Sequence, residues 1–140
     1  MQWRIGEYSK YESFIRDAER RYDIPLNLLA VTLFQASQYD PAHINGTGRN
    51  PLGVIGIANL MPSDCRILWG GNDRRTDPLA SIAGAARLLA AQHSRFKDWR
   101  LALLAYHSNA QIVADHVREH ANLSIRAKEY TEQASAHCRL

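Results

Sequence analysis

The chain has 140 residues, of which 46% are hydrophobic and 22% are charged, as is typical of one soluble globular domain with its own core. Its formal net charge of +3 is a mild basic bias that suits an anionic polymer as a partner. The two cysteines, Cys65 and Cys138, do not make a disulfide framework, and no Cys/His pair has metal-ligand spacing, so we expect no metal and no other cofactor.

The sequence also argues against a secretion leader and a membrane span. Residues 1–7 contain no apolar run of signal-peptide length, and no later stretch is long enough to cross a bilayer. We therefore expect a protein that is made in the cytoplasm and that other components carry to any site of action outside it.

Apolar residues at helical spacing predict an all-α fold, which begins with an amphipathic helix in residues 1–22. Its apolar face is formed by Tyr8, Tyr11, Phe14, Ile15, Ala18 and Tyr22. Pro25 is then expected to open a second helix at its first turn. This helix continues to about Gln38 and is apolar on nearly every side, so we expect it to lie buried at the centre of the domain.

Residues 40–59 are rich in Gly, Pro and Asn, which break regular structure. A long irregular segment inside a compact domain is usually a functional loop, and this one has room for a small hairpin. Pro62 begins the next helix, which continues to Trp69. Asp77 is the expected N-cap of a further helix, with Pro78 at its first position. Small residues on this helix allow close packing against its neighbours: Ala80, Ala83, Gly84, Ala85 and Ala86.

Three more helices are predicted, in residues 98–107, 111–120 and 124–136. No repeat, linker or low-complexity tract divides the chain. We therefore expect residues 1–140 to form a single all-α domain with one long loop region.

Four segments carry a pattern with chemical meaning. The first begins with Tyr22-Asp23-Ile24-Pro25, continues with Leu28-Leu29, and finishes with Phe34-Gln35-Ala36-Ser37-Gln38-Tyr39-Asp40-Pro41 at the end of the central helix. The second, residues 50–62, reads Asn-Pro-Leu-Gly-Val-Ile-Gly-Ile-Ala-Asn-Leu-Met-Pro. The third is Asp77-Pro78 with its Ala/Gly-rich helix, which ends near Leu89. The fourth is Leu101-Ala102-Leu103-Leu104-Ala105-Tyr106-His107-Ser108-Asn109. A weaker fifth segment combines Arg126 with Glu129-Tyr130.

Together these segments resemble the lytic transglycosylases of the goose-lysozyme-like class, over about residues 20–131, with phage virion transglycosylases nearest in character. That family has a Glu-Ser followed by aromatic-x-Pro, a Ser-Pro-x-Gly-x-x-Gly-Leu-Met-Gln-x-Met-Pro loop, an Asp-Pro helix start and an Ala-Tyr-Asn-x-Gly motif. The resemblance implies a lysozyme-like helical globule in which the long loop or a small hairpin lines a glycan cleft. It also implies lytic cleavage of peptidoglycan.

The resemblance further implies a reaction that uses one acid. In the family, a glutamic acid at the end of the central helix protonates the glycosidic oxygen between N-acetylmuramic acid and N-acetylglucosamine. The muramic 2-acetamido group assists at the anomeric carbon. The same glutamate then takes the proton of the C6 hydroxyl, and a 1,6-anhydro ring closes. An apolar helix and a helix C-terminus both favour the protonated form of such an acid.

Ala36 occupies the position of this glutamate. A methyl group cannot donate a proton, and loss of one general acid costs about 10²–10⁴-fold in rate. The chain as written is therefore expected to be inactive or nearly so. Asp40 and Asp64 are nearby carboxylates, but we interpret both as caps of a turn or helix.

The resemblance assigns roles to several other residues. Tyr106 would orient the catalytic carboxyl, and Met61 would line the sugar cleft. Ser37 matches the family serine, while Asn50 and Asn59 stand where the family loop has serine and glutamine. These three and His107, which stands where the family has asparagine, are the remaining candidate substrate-binding residues.

Each of these residues also has an ordinary structural interpretation. Tyr106 and Met61 would then be core side chains, Asn59 a helix cap and His107 a histidine at the surface or the edge of the core. The basic residues Arg74, Arg75, Arg95, Lys97 and Arg100 are most simply solvated, although they would also suit the carboxylates of a peptidoglycan stem peptide.

Two interpretations of Ala36 stay open. In the first, the chain is a lytic transglycosylase whose glutamate was replaced by engineering. In the second, it is a natural pseudoenzyme, a virion structural or glycan-binding domain that kept the fold and lost the acid. Both predict glycan strands as partners, with delivery to the cell wall by a phage particle, a holin or a secretion machine. A nucleic-acid partner is not expected, because the basic residues are dispersed along the chain.

Overall fold

The computed structural model describes residues 5–47, 53–108, 110–119 and 131–134, and the chain is all-α within these ranges, as predicted. The helices are α1 (Ile5–Arg21), α2 (Leu28–Ser37), α3 (Pro41–Ile44), α4 (Pro62–Trp69), α5 (Pro78–Phe96), α6 (Trp99–His107) and α7 (Ala110–Glu119). Residues 131–134 are also helical.

The apolar helix α2 lies at the centre of the core, as predicted. Its residues from Leu28 to Leu33 are shielded from solvent, and α1 and α5 both contact it. The prediction that Pro25 opens this helix is wrong. The carbonyl oxygen of Pro25 accepts the amide of Leu28 in a separate turn, and Asn27 has a left-handed backbone with φ of 74°. This left-handed residue interrupts the helical path, so that α2 begins only at Leu28.

A side chain of α1 caps the start of α2. Asn27, at the N-cap position, makes no capping bond with its own side chain. Glu19 is 3% exposed, and its Oε2 accepts the amide of Leu29 at 3.0 Å. The helix thus receives its cap from another helix, which is a connection that local sequence patterns do not reveal. Phe14 of α1 was expected on the apolar face, but it is 42% exposed.

The described residues between α2 and α4, 38–47 and 53–61, contain more regular structure than their composition predicted. Pro41 opens the short helix α3 and does not break the structure, since the Oδ1 of Asp40 accepts the amide of Ala42 and caps this helix. Further on, Ile55 and Leu60 form an isolated antiparallel bridge. This bridge corresponds to the small hairpin that the sequence allowed.

Helices α4 and α5 begin at the prolines that the sequence indicated, and Asp77 caps α5 through the amides of Leu79 and Ala80. Gly84 of α5 lies against α4: a Cβ at this position would be 2.7 Å from a methyl carbon of Leu68. The small residues of α5 are buried as expected, except Ala83, which is exposed. Close packing of α5 brings α4 and α6 together on either side of the site described next.

Candidate functional site

Ala36 lies in the last turn of α2 and is half-buried. The next residue, Ser37, is buried, and its hydroxyl donates to the carbonyl of Leu33 at 3.0 Å and accepts the amide of Tyr39 at 3.3 Å. Gln38 and Tyr39 both have left-handed backbones, which end the helix and turn the chain towards α3. The hydroxyl of Ser37 therefore stabilises the end of α2 in this structure.

Tyr39 fixes the turn that follows Ala36. Its ring is fully buried, and its hydroxyl donates to the carbonyl of Ala30 at 2.7 Å. Burial raises the pKa of this phenol well above its ordinary value, with smaller contributions from nearby charges. The phenol stays protonated and remains a hydrogen-bond donor.

The residue before Ala36 joins three parts of the fold. The Oε1 of Gln35 accepts Nε2–H of His107 at 3.1 Å, and its Nε2 donates to Oε1 of Gln133 at 2.9 Å. Gln35 thus connects α2 with α6 and with the helical residues 131–134. The ring of His107 also makes an edge contact with the ring of Tyr106, at 5.2 Å between centroids. His107 lies at the edge of the core, half-buried.

Residues 55–60, in the part of the loop before α4 that the structure describes, form a narrow turn. Residues Ile55 and Leu60 exchange backbone hydrogen bonds of 3.3 and 3.2 Å. Gly56 has φ of 88°, and a Cβ there would lie 2.0 Å from the carbonyl oxygen of Arg75. Only glycine fits this close backbone approach. We call residues 53–61 the cleft loop.

Arg75 holds the cleft loop in place, so the expectation that it is solvated is wrong. It is 9% exposed, and its Nε and Nη2 bind the carboxylate of Asp73 at 2.9 and 2.8 Å. Its Nη1 donates to the carbonyl oxygens of Gly53 and Leu60 at 2.7 and 3.2 Å. The Arg75 guanidinium lowers the pKa of Asp73 to about 2. Arg74 is exposed, as expected, and pairs with Asp77.

Asn59 and Asp64 show which side chain caps α4. The Oδ1 of Asn59 accepts Nε2–H of His43 at 2.8 Å, whereas the Oδ2 of Asp64 accepts the amide of Met61 at 2.8 Å. The capping prediction for Asp64 is confirmed, and the alternative that Asn59 caps this helix is wrong. Asp40 caps α3, as described above, so both nearby carboxylates have helix-capping roles.

Tyr106 of α6 reaches the cleft loop. Its hydroxyl donates to the carbonyl of Ala58 at 2.8 Å. Burial raises the pKa of this phenol well above its ordinary value, and the charge of Asp64 adds to the shift. Tyr106 is therefore a neutral donor that connects α6 to the loop.

A half-open cavity of about 210 Å³ lies where the cleft loop meets α4, α5 and α6. Its lining comprises loop residues 58–61, Asp64 and Ile67 of α4, Leu88 and Gln92 of α5, and Ala105 and Tyr106 of α6. It is smaller than the roughly 300–1,000 Å³ pockets that hold drug-sized ligands. A group no larger than a sugar unit fits a space of this size.

The cavity brings together only some of the predicted site residues. Asn59, Met61 and Tyr106 line it, and Met61 is 43% exposed there. Ala36, Ser37 and His107 are not among its lining residues. The remaining motif positions lie outside the described residues: Asn50, Asn109, Arg126, Glu129 and Tyr130.

Sequence reasoning gave no site role to three of the lining residues on helices, Ile67, Leu88 and Gln92. Leu88 and Gln92 are four positions apart on α5, so they share one face of the helix. The sequence spacing alone shows that the two residues share a helix face. It does not show that this face of α5 meets the cleft loop.

A larger opening of about 420 Å³ lies at the junction of α1 and α2. Its polar groups already bind one another: Arg16 donates to Oδ1 of Asn27 at 2.6 Å and pairs with Glu19 at 3.4 Å. Of the motif segments, only the first contributes described residues to it, Asp23 and Ile24, and none of the candidate site residues is among its described lining. The smaller cavity is therefore the better candidate site.

Across the described ranges, no helix combines the length and apolar character that a membrane crossing needs.

The sequence model of the family described as Transglycosylase SLT domain matches residues 13–128. Membrane-bound lytic murein transglycosylase F 2 of Alkalilimnicola ehrlichii is 38% identical over 89 residues, which are 64% of this chain and 18% of that protein. The transglycosylase of Enterobacteria phage PRD1 is 29% identical over 113 residues, or 81% of this chain and 37% of that protein.

These relatives are longer proteins, of which the matching segments span less than two fifths. The family match, in contrast, extends over most of this chain. It includes the end of α2 at Ala36, the cleft loop and Tyr106. The chain belongs to the Transglycosylase SLT domain family.

Proposed function

We propose that this domain binds peptidoglycan glycan strands along the cleft loop. The reaction of its family is lytic cleavage between N-acetylmuramic acid and N-acetylglucosamine, with closure of a 1,6-anhydro ring. With Ala36 in the position of the acid, the chain as written is inactive or nearly so. Family membership supports the substrate class, and the cavity formed by Asn59, Met61 and Tyr106 gives the glycan a place to bind.

The position of Ala36 is the observation that carries the proposal. It is the residue of the last turn of α2 that the family motif assigns to the acid, and it is half-buried at the point where the chain turns towards α3. Its neighbours Gln35 and Ser37 are neutral and hydrogen-bonded. Neither supplies a proton at neutral pH.

The nearby carboxylates do not replace the missing acid. Asp40 accepts the amide of Ala42, and Asp64 accepts the amide of Met61. In each case a carboxylate oxygen is bound by a backbone amide at a helix start, which gives the side chain a capping role. A general acid must instead bring its proton to the glycosidic oxygen.

The test restores the acid. We expect Ala36→Glu to release 1,6-anhydromuropeptides from purified sacculi at least about 10²-fold faster than the unaltered chain. Ala36→Gln is the matched control, because glutamine has the size of glutamate and no acidic group. This variant should stay inactive. Equal product release by the unaltered chain and Ala36→Glu would contradict the proposed role of position 36.

A natural pseudoenzyme is the second candidate, and two contacts favour it. His107 stands where the family has asparagine and donates to Gln35, and the Asn59 amide oxygen is engaged by His43. Both contacts occupy groups that the family assigns to the site. In this case Ala36→Glu stays inactive while the chain still co-sediments with sacculi.

We also propose a phage or secretion context for delivery to the cell wall. The similarity to a transglycosylase of phage PRD1 supports it. Mass spectrometry of purified virions from the source phage or prophage tests this idea. Detection of the protein in particles supports carriage, and its absence from them argues against it.

A further inference from the structure

Of the described residues that line the cavity, Gln92 is the one with a buried side-chain polar atom that has no hydrogen-bond partner. Among the described residues, its Oε1 is shielded from solvent and has no hydrogen-bond partner. Native proteins seldom keep a buried acceptor unpaired without a reason, because burial removes its bonds to water. Gln92 lines the cavity together with residues of the cleft loop, and it lies four positions from Leu88 on α5.

The wall around Gln92 combines this acceptor with apolar groups. Leu60, Ile67 and Leu88 line the same cavity. An acetamido group has a methyl and an N–H donor, so it matches an apolar wall beside a carbonyl acceptor. Oε1 is shielded in this structure, and the broad terminal torsion of glutamine allows the amide to rotate so that Oε1 faces a bound group.

The negative charge of Asp64 favours one of the two sugars of the glycan, N-acetylglucosamine, in this cavity. Among the described residues that line it, Asp64 is the charged one, and none of them is a lysine, arginine or histidine. N-acetylmuramic acid carries a lactyl carboxyl group or a stem peptide, whereas N-acetylglucosamine carries neither. A carboxylate beside Asp64 would be repelled, and an uncharged ring would not.

We propose that Gln92 is a specificity-determining residue that accepts the acetamido N–H of an N-acetylglucosamine unit held in this cavity. The inference rests on the proposed glycan-binding function and adds a residue and a sugar identity to it. Replacement of Gln92 by an apolar side chain of the same shape should weaken glycan binding. It should not lower stability, because it removes an unpaired buried acceptor.

The test uses Gln92→Met, which is nearly isosteric, with Ser94→Met as the matched control. Ser94 is on the same helix, exposed and outside the cavity. Calorimetric titration with a chain of four N-acetylglucosamine units should give about tenfold weaker binding for Gln92→Met, as for loss of one hydrogen bond of about 1.4 kcal/mol. The control should bind like the unaltered chain, and Tm of Gln92→Met should be equal or higher.

The outcomes separate this inference from the proposed function. If the unaltered chain binds the oligosaccharide and Gln92→Met binds equally well, the inference is wrong and the glycan-binding proposal stands. If Gln92→Met has a clearly lower Tm, Oε1 has a partner in the native protein and the inference is also wrong. If the unaltered chain binds neither this oligosaccharide nor sacculi, both proposals are overturned. Four glucose units without acetamido groups should bind no better to the unaltered chain than to Gln92→Met.

Discussion

Arg75 and Asp73 determine the position of the cleft loop at the scale of single residues. The planar guanidinium binds one carboxylate with two nitrogens and the loop carbonyls of Gly53 and Leu60 with a third. Lysine has a single charged nitrogen and does not match this fork geometry. Because Asp73 is about half exposed, the pair contributes chiefly geometry and only a modest stabilisation.

The pH dependence of stability tests this pair. The pKa of Asp73 is lowered from 3.8 to about 2 in the folded protein, so the folded state favours the ionised form. The resulting stabilisation is present above about pH 4 and is lost as pH falls towards 2. We expect Asp73→Asn to lower Tm at pH 6 and to have little effect near pH 2, as followed by circular dichroism. A Tm difference that is constant over this range would contradict the role of the ion pair.

At the scale of elements, the start of α2 depends on a side chain from α1. Glu19 is buried and accepts the amide of Leu29, and the amides of Asn27 and Ala30 also stabilise its charge. Burial nevertheless raises the pKa of Glu19, and these hydrogen bonds and Arg16 oppose the shift. The central helix that carries Ala36 is thus fixed to α1 by a partly compensated buried charge.

Removal of this cap should destabilise the domain. We expect Glu19→Ala to lower the free energy of unfolding by about 2 kcal/mol, in the range for loss of a helix cap with a charged acceptor. Glu12→Ala is the matched control, since Glu12 is an exposed residue of α1, and it should change stability by about 0.5 kcal/mol or less. Urea unfolding measures both variants, and equal effects would show that Glu19 does not act as a cap.

Glu19 should also make stability depend on pH in the direction opposite to Asp73. A folded pKa above the ordinary 4.5 means that the folded state binds the proton more tightly than the unfolded state. Its contribution to stability therefore falls as pH rises from 4.5 through the folded pKa. Relative to Glu19→Gln, the unaltered chain should lose stability over this interval.

At the scale of the whole molecule, sequence reasoning succeeded where signals are local. Pro62, Asp77 and Pro78 mark the helix starts that the structure contains, because caps and prolines act within one turn. The predicted start of α2 was wrong, because the side chain that caps this helix belongs to another helix. Arg75 was misread as solvated because its partners include the carbonyls of Gly53 and Leu60, far along the chain.

In the candidate site, too, the sequence predicted the features that local motifs indicate and missed those that depend on distant contacts. The family motifs indicated Asn59, Met61 and Tyr106, and the fold brings these three to one cavity. Gln92 belongs to no motif, and only the packing of α5 against the cleft loop gives it a place there. The position of Ala36 was readable from the sequence, whereas the hydrogen bonds of its neighbour Gln35 to two distant elements were not.

The central claim is that this domain binds the glycan of peptidoglycan and, with Ala36, does not cleave it. The most direct measurement incubates the unaltered chain with purified sacculi, separates the pellet, and determines bound protein and soluble 1,6-anhydromuropeptides in the same sample. We predict protein in the pellet and no anhydro products above a protein-free blank. Release of anhydro products by the unaltered chain, or failure of the chain to bind sacculi, would contradict the claim.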